Sequence, residues 1–428
     1  MRSLALFACL AGPAFAQDLG PAPIFTEVDP ARAKLGQLLF YDPILSGNKN
    51  ISCGTCHHPD LGTGDGVSLS IGEGGLGLGP KRSFDAANRP EQRIPRNAPA
   101  MWNLGATEFQ VMFHDGRLEA DDSEPHGIRT PLGAEMTSGF DSVLAAQAMF
   151  PVLSADEMAG HYSENEISRA VRLGFLSSEG GAWDLIAARV AGIPAYQKEF
   201  ARVTPGEAIT FPLIANLLAD FIRFEWRADN SLFDQAMRGE AELPDDAARG
   251  MALFYGVAAC GTCHSGWFQT DHDFHAIGLP QIGPGKAARF ENHARDVGRM
   301  RVTGDAGDAY AFRTPSLRNV TLNAPYGHNG AYAELDDMIR HHLNVPEALA
   351  NYDIAKATLL DFPEAEDLRA FNAAENEAIL AANVLEPVEL TEVQIAELTA
   401  FLESLEDPAL RFGIPETVPS GLPLDQRD

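Results

Sequence analysis

The feature that most constrains this chain is a pentapeptide that occurs twice, Cys53-Gly-Thr-Cys56-His57 and Cys260-Gly-Thr-Cys263-His264. At helical pitch two thiols three residues apart and the imidazole behind them fall on neighbouring positions of one face. This is the attachment pattern of a c-type haem: the thiols add to the haem vinyl groups and the His supplies the proximal iron ligand. The same letters also suit a thioredoxin-like redox pair, half of a zinc site or plain disulfides. Against those readings, four of the five cysteines fall in the two motifs, each closed by His. The fifth, Cys9, lies in a stretch that reads as an export leader.

Residues 1–16 carry Arg2, an apolar run from Leu4 to Gly12 and the small-residue pattern Ala14-Phe15-Ala16, so a signal peptide cut after Ala16 and a periplasmic location are expected. Leu6-Phe7-Ala8-Cys9 also permits a lipoprotein reading, with a short apolar stretch before it. No later segment approaches the ~18 apolar residues needed to cross a bilayer. The net charge of −28 argues against nucleic acid or an anionic membrane as partner, both of which demand a basic face.

An internal repeat accompanies the motifs. Gly36-Gln37-Leu38-Leu39-Phe40-Tyr41 precedes the first and Gly250-Met251-Ala252-Leu253-Phe254-Tyr255 the second, each ending an amphipathic helical pattern. The second of these helices is expected to start at Pro244-Asp245-Asp246. Loops rich in Gly and Pro, such as 62–80 and 278–285, separate short helical patterns. The expected fold is mainly α, with two cytochrome c-like haem domains, long loops and few strands. Its divisions are a first haem domain over 17–235, a second over 236–412 and a loose Pro-rich tail over 413–428. Thr391-Glu392-Val393-Gln394 is a capping box opening a packing helix that carries Ile395, Leu398, Phe401, Leu402 and Leu405.

Several further segments stand in the order found in one family. They are 52–64, Pro95-Arg96-Asn97-Ala98-Pro99, Phe113-His114-Asp115-Gly116-Arg117, 147–158, Arg313-Thr314-Pro315-Ser316-Leu317-Arg318-Asn319-Val320 and Ala324-Pro325-Tyr326-Gly327-His328-Asn329-Gly330. On these residues the chain resembles the bacterial diheme cytochrome c peroxidase family, which includes MauG, over nearly the whole mature length. The resemblance implies a first haem where peroxide reacts and a second where electrons enter. It also implies a peroxide pocket with Gln, Pro four residues on and Glu ten residues on, a spacing met by Gln147, Pro151 and Glu157. Glu157 would shuttle the proton between the peroxide oxygens, Gln147 would hydrogen-bond the bound oxygen species and Pro151 would fill space above the iron. Glu157 has a second reading, since Ser154-Ala155-Asp156-Glu157 is also a capping box.

Many relatives carry a second His that blocks the first iron, but residues 59–113 contain none, so the His57 haem is expected to be five-coordinate or water-bound. His58 reads as an ordinary solvated or hydrogen-bonded residue. The sixth ligand of the second haem falls fourteen residues after His328 in the family, which lands on His342; Met338, one turn earlier, is the alternative, and His341 faces elsewhere. His114 stands where relatives carry the Trp between the haems, with Trp102 as a possible substitute or a buried structural residue. Glu119, Asp121, Asp122 and Glu124 lie in an insertion and read as a solvated acidic loop. The resemblance further implies one calcium held through Asn97, Asn323 and Pro325.

Three functions follow as expectations. The first is a peroxidase reducing hydrogen peroxide with electrons from a small cytochrome c or blue copper protein. The second is a MauG-like enzyme oxidising Trp or Tyr side chains of a partner protein. The third, a diheme electron carrier, would need two six-coordinate irons and no Gln-Pro-Glu set.

Overall fold

The computed structural model describes residues 19–286 and 293–424; the expected leader 1–16 lies outside the described residues. The fold is mainly helical, with strands only two or three residues long. They form pairs or triplets: Gly75–Leu76 with Ser83–Phe84, Val111–Met112 with Leu118–Ala120 and Ile128–Arg129, and Phe274–His275 with Phe312–Arg313. Among the described residues no helix is long and apolar enough to cross a membrane.

The repeat seen in the sequence is a repeat in three dimensions. The Pro30–Tyr41 helix starts at Asp29, whose side chain accepts the Ala31 N–H, with Pro30 at the first helical position. It crosses the Phe211–Glu225 helix at Gly36, where a Cβ would lie 1.9 Å from the Leu217 carbonyl oxygen. The Asp245–Phe254 helix crosses Glu392–Glu403 in the same way, and a Cβ on Gly250 would lie 1.8 Å from the Glu397 carbonyl oxygen. Each glycine is therefore the point where one helix backbone touches another. Gly36→Ala and Gly250→Ala are each expected to cost about 1–3 kcal/mol by overpacking, although Ala is the better helix former by ~1 kcal/mol. Urea midpoints test this, and an unchanged or raised midpoint would mean that the helices can part freely.

The largest apolar cluster gathers Leu35, Leu39, Phe40, Phe221 and Trp226 with many residues between positions 44 and 222, and it also takes in Phe268 and Val418. A second forms around Phe233, Phe254, Leu398, Phe401 and Leu405. Two smaller ones bury Val67, Leu69 and Ile71, from the long loop after the first motif, against Leu279, Tyr332, Leu360 and Phe362 from the second half of the chain. That loop is thus fixed by long-range packing despite its glycines.

Three sequence expectations need correction. Residues 413–424 are not a loose tail. Glu225 accepts the Phe412 and Gly413 N–H groups, Gln37 donates to the Gly413 carbonyl, and the Ser420 hydroxyl donates to buried Asp42 while Val418 enters the core. The acidic insertion is not uniformly solvated either, because Glu119 is buried on its strand and paired with Arg129 and Arg299. Finally, Ser154 caps nothing: residues Ala155–Ala159 form a single π turn without a side-chain cap. The Thr391 capping box does form.

Candidate haem sites and peroxide pocket

Both motifs present their ligands in the same way. Cys53–Cys56 is one helical turn, and His57 follows with its Nδ1–H donating to the Thr63 carbonyl at 3.0 Å. In the second motif His264 donates from Nδ1 to the Gln269 carbonyl at 2.9 Å. Each bond leaves Nε2 as the lone-pair nitrogen, the tautomer a metal needs. Burial lowers both imidazoles to about 4, so both are neutral at neutral pH. The glycine of each motif serves packing: a Cβ on Gly54 or Gly261 would lie 2.4 Å from the ring of Tyr41 or Tyr255, the last residue of the repeated hexapeptide.

The four cysteines are free thiols in the structure, which removes the disulfide reading. Burial raises Cys53 to about 12, and Cys56 and Cys260 to about 11. Such thiols are poor thiolates, the opposite of a redox-active pair. Near Cys56, buried Asp65 has Oδ2 without a partner, and buried Arg82 has Nε and Nη1 without one, although its Nη2 donates to the Gly72 carbonyl. Orphaned polar atoms beside thiols and a metal-ready imidazole fit a bound group with polar substituents. Cys263, Asp271 and His275 also lie close enough to share a metal, but Cys263 belongs to the attachment motif.

The predicted pocket residues lie on one continuous run. Gln147 ends the Val143–Gln147 helix, Pro151 sits in Met149–Leu153 and Glu157 in the π turn. Two loops hold that turn: the Glu73 N–H donates to the Asp156 carbonyl at 3.0 Å, and the Gly47 N–H to the Met158 carbonyl at 2.7 Å. Gly72 is required there, since a Cβ would lie 2.2 Å from the Asp156 carbonyl oxygen. Burial raises the Glu157 carboxyl pKa, Lys286 and Arg117 oppose that rise, and the Glu157 charge is felt at Cys56.

Arg117 and Lys286 were not expected from the sequence. Arg117 stacks on Phe113 at 3.5 Å and Phe150 at 5.3 Å, while pairing with Asp115 at 2.9 Å. Burial first, then Arg117 and Arg96, lower Lys286 to about 8. The family-like segment 113–117 carried a signal for Arg117; Lys286 follows a Gly-Pro-Gly stretch and carried none.

On the second site, the His264 and His342 rings face each other with centroids 6.5 Å apart. Two metal–nitrogen bonds of about 2 Å each would put such rings about 6 Å apart. His342 donates from Nδ1 to the Met338 carbonyl at 2.8 Å, again leaving Nε2. Met338 packs against the Leu69–Tyr332 cluster, and His341 is bound at both nitrogens, to the Tyr332 hydroxyl and the Ile277 carbonyl.

His114 is half-buried, lowered to about 4 by desolvation and then Arg96, and donates from Nε2 to the Asn97 carbonyl at 3.1 Å. Trp102 anchors the turn after the first motif by donating to the Gly62 carbonyl. His58 is buried and accepts the Asp60 N–H. Asn97 and Asn323 clasp the two ends of the same loop: Asn97 donates to the Val67 and Ser68 carbonyls, and Asn323 to the Gly62 carbonyl.

Paired thiols with a metal-ready His at two repeated sites, one of them within electrostatic reach of Glu157, define a two-haem c-type oxidoreductase. The sequence profile of the di-haem cytochrome c peroxidases matches residues 30–242. MauG, the methylamine utilization protein of Methylorubrum extorquens, is 28% identical over 401 residues, covering 92% of this chain and 84% of that one. Cytochrome c551 peroxidase of Nitrosomonas europaea is 28% identical, covering 78% and 79%. The crystal structure of a MauG-like protein associated with microbial copper homeostasis superposes with a TM-score of 0.60 at 25% identity, covering 94% of this chain and 96% of that one. The chain belongs to the diheme cytochrome c peroxidase/MauG family.

Proposed function

We propose that this protein reduces hydrogen peroxide to water at the His57 site, with two protons and with two electrons that enter through the His264 site from a small cytochrome c or blue copper donor. Bound haem supplies the redox equivalents for cleaving the O–O bond. The observation that carries the reading is Glu157, a half-buried carboxyl held on a π turn within electrostatic reach of Arg117, Lys286 and the first attachment motif. Glu157 takes the proton from the near peroxide oxygen and returns it to the departing one. Gln147 donates to the bound oxygen, and Pro151 excludes water without offering a donor.

On this reading Cys53, Cys56 and His57 would hold the first haem, and Cys260, Cys263, His264 and His342 the second. Signal-directed export would place the enzyme in the periplasm, and one calcium would bind through Asn97, Asn323 and Pro325. Low-temperature EPR of the diferric protein is expected to show one high-spin and one low-spin haem, and peroxide without reductant is expected to consume the high-spin signal. Two low-spin signals inert to peroxide would overturn the open pocket. His342→Ala is expected to convert the low-spin signal to high-spin, and His342→Met to keep it low-spin while raising the potential. An unchanged EPR spectrum in both variants would exclude His342 as ligand.

A MauG-like oxidation of Trp or Tyr side chains on a partner protein is the second reading. It is favoured by the similarity to MauG over most of both chains and by the absence of His from residues 59–113.

A further inference from the structure

We propose that Glu73 is the central ligand of a second hard-cation site, suited to Ca2+, which clamps the turn carrying Glu157. The argument starts from Ile71-Gly72-Glu73-Gly74-Gly75, where glycines let the chain wrap closely around one carboxylate. Glu73 is completely buried. Its Oε1 accepts from the side-chain amides of Asn48 at 2.9 Å, Asn50 at 2.7 Å and Asn88 at 2.7 Å, and from the Gly74 N–H at 3.2 Å. Its Oε2 has no hydrogen-bond partner. Among the described residues no Lys, Arg or His nitrogen pairs with it within 4.0 Å.

A buried carboxylate without a cation is costly, and a crowd of amide donors on one oxygen leaves the other aimed at nothing. A half-turn of the Asn50 and Asn88 amides exchanges their NH2 groups for their carbonyl oxygens, whereas Asn48 keeps its orientation because its Oδ1 accepts from Asn165 Nδ2 at 3.0 Å. Two Oδ1 atoms and the Glu73 carboxylate can then face one point. The donors are oxygens throughout, with no thiol or imidazole among them, which is the ligand chemistry of a hard cation. Calcium accepts six to eight such ligands in flexible geometry, whereas magnesium demands a near-octahedral set. Asn48 also donates to Glu164 Oε1 at 2.6 Å, which brings a second carboxylate to the rim.

The location gives the site its consequence. The loop over 46–50 supplies Asn48 and Asn50, the loop over 71–75 supplies Glu73, Asn88 comes from a third segment, and the first two loops also hold the π turn through Gly47 and the Glu73 N–H. An ion joining them would fix Asp156 and Met158, the backbone neighbours of Glu157. That positioning role rests on the peroxide reading above; the ion site itself does not.

The test uses the holoprotein stripped with chelator and retitrated with Ca2+ by calorimetry and by metal analysis. Glu73→Gln, which keeps the shape and the amide contacts, is expected to bind one Ca2+ per chain fewer than wild type while retaining both haems and their spectra. An unchanged stoichiometry and affinity would overturn the site. Should Glu73→Gln fail to fold, Asn50→Ala/Asn88→Ala, altering partly exposed residues, is expected to weaken one Ca2+ site at least tenfold. Crystals of wild type soaked in Tb3+ are expected to show an anomalous peak bonded to Glu73 Oε2, and an ordered water there instead would overturn the proposal. Loss of peroxidase activity in some unrelated variant would leave the Ca2+ count untouched, so the two readings fail separately.

Discussion

Glu157→Gln is expected to keep both haems, both EPR signals and the fold, and to lower peroxide turnover by about 10²–10⁴-fold, the usual contribution of a positioned acid–base group. The amide fills the same space and can still hydrogen-bond, but it cannot take up and release a proton. The pH profile adds an independent sign. Burial raises the Glu157 carboxyl, and Lys286 and Arg117 oppose the rise without cancelling it. The carboxylate that accepts the first proton is therefore lost at higher pH than for an exposed glutamate. Wild-type activity should fall on the acid side with an apparent pKa above the ordinary carboxylate range, and this limb should vanish in Glu157→Gln. Stopped-flow rates of peroxide consumption from pH 4.5 to 8 measure both effects. A loss below threefold with an unchanged acid limb would remove Glu157 from the proton path.

What could be read from the sequence follows from the range of the interactions involved. The haem motifs and the Thr391 cap depend on residues a few positions apart, so spacing alone exposes them. Gly36 and Gly250 stand at equivalent places in the repeated hexapeptide, and the structure shows the reason: each meets a carbonyl of a crossing helix. The tail failed as an expectation because its anchors, Glu225, Gln37 and Asp42, lie hundreds of residues upstream. The capping box at Ser154 satisfied the local rule, but the N–H groups of Glu157, Met158 and Ala159 go to the Ser154 carbonyl, and the Glu73 and Gly47 N–H groups hold the turn by its Asp156 and Met158 carbonyls. Lys286 and Arg82 were invisible for the same reason. A basic residue in a loop announces nothing until the fold sets it near a carboxylate or an attachment site.

Arg96→Met is expected to destabilise the protein by about 3–5 kcal/mol at pH 7, the cost of leaving buried carboxylates without their cation. Arg96 is buried and reaches Asp296 through Nε at 2.7 Å and Nη2 at 2.8 Å, and Asp115 through Nη1 at 2.7 Å. The pairs join a segment of the first half to Asp296 in the second, beside His114 and Asn97. For Asp115 burial alone would raise the carboxyl, but Arg96 and Arg117 outweigh it and hold it at about 2. Asp296 lies further below the usual range because Arg96 again outweighs burial. Depressed carboxylates contribute stability that is fully present above the ordinary carboxylate pKa near 4 and is lost as the pH falls through about 2. Wild type should thus keep this clamp through pH 4. In Arg96→Met the sign reverses for Asp296: with its cation gone, burial raises its pKa, and protonation relieves the variant as the pH falls. The stability gap between wild type and variant should therefore be widest at pH 7 and narrow by pH 5, as read from urea unfolding at both values. Asp296→Asn added to Arg96→Met should recover part of the loss by removing the stranded charge. A gap that stays below 1 kcal/mol at pH 7, or widens toward pH 5, would mean that water reaches these groups and that the clamp does not hold the two halves together.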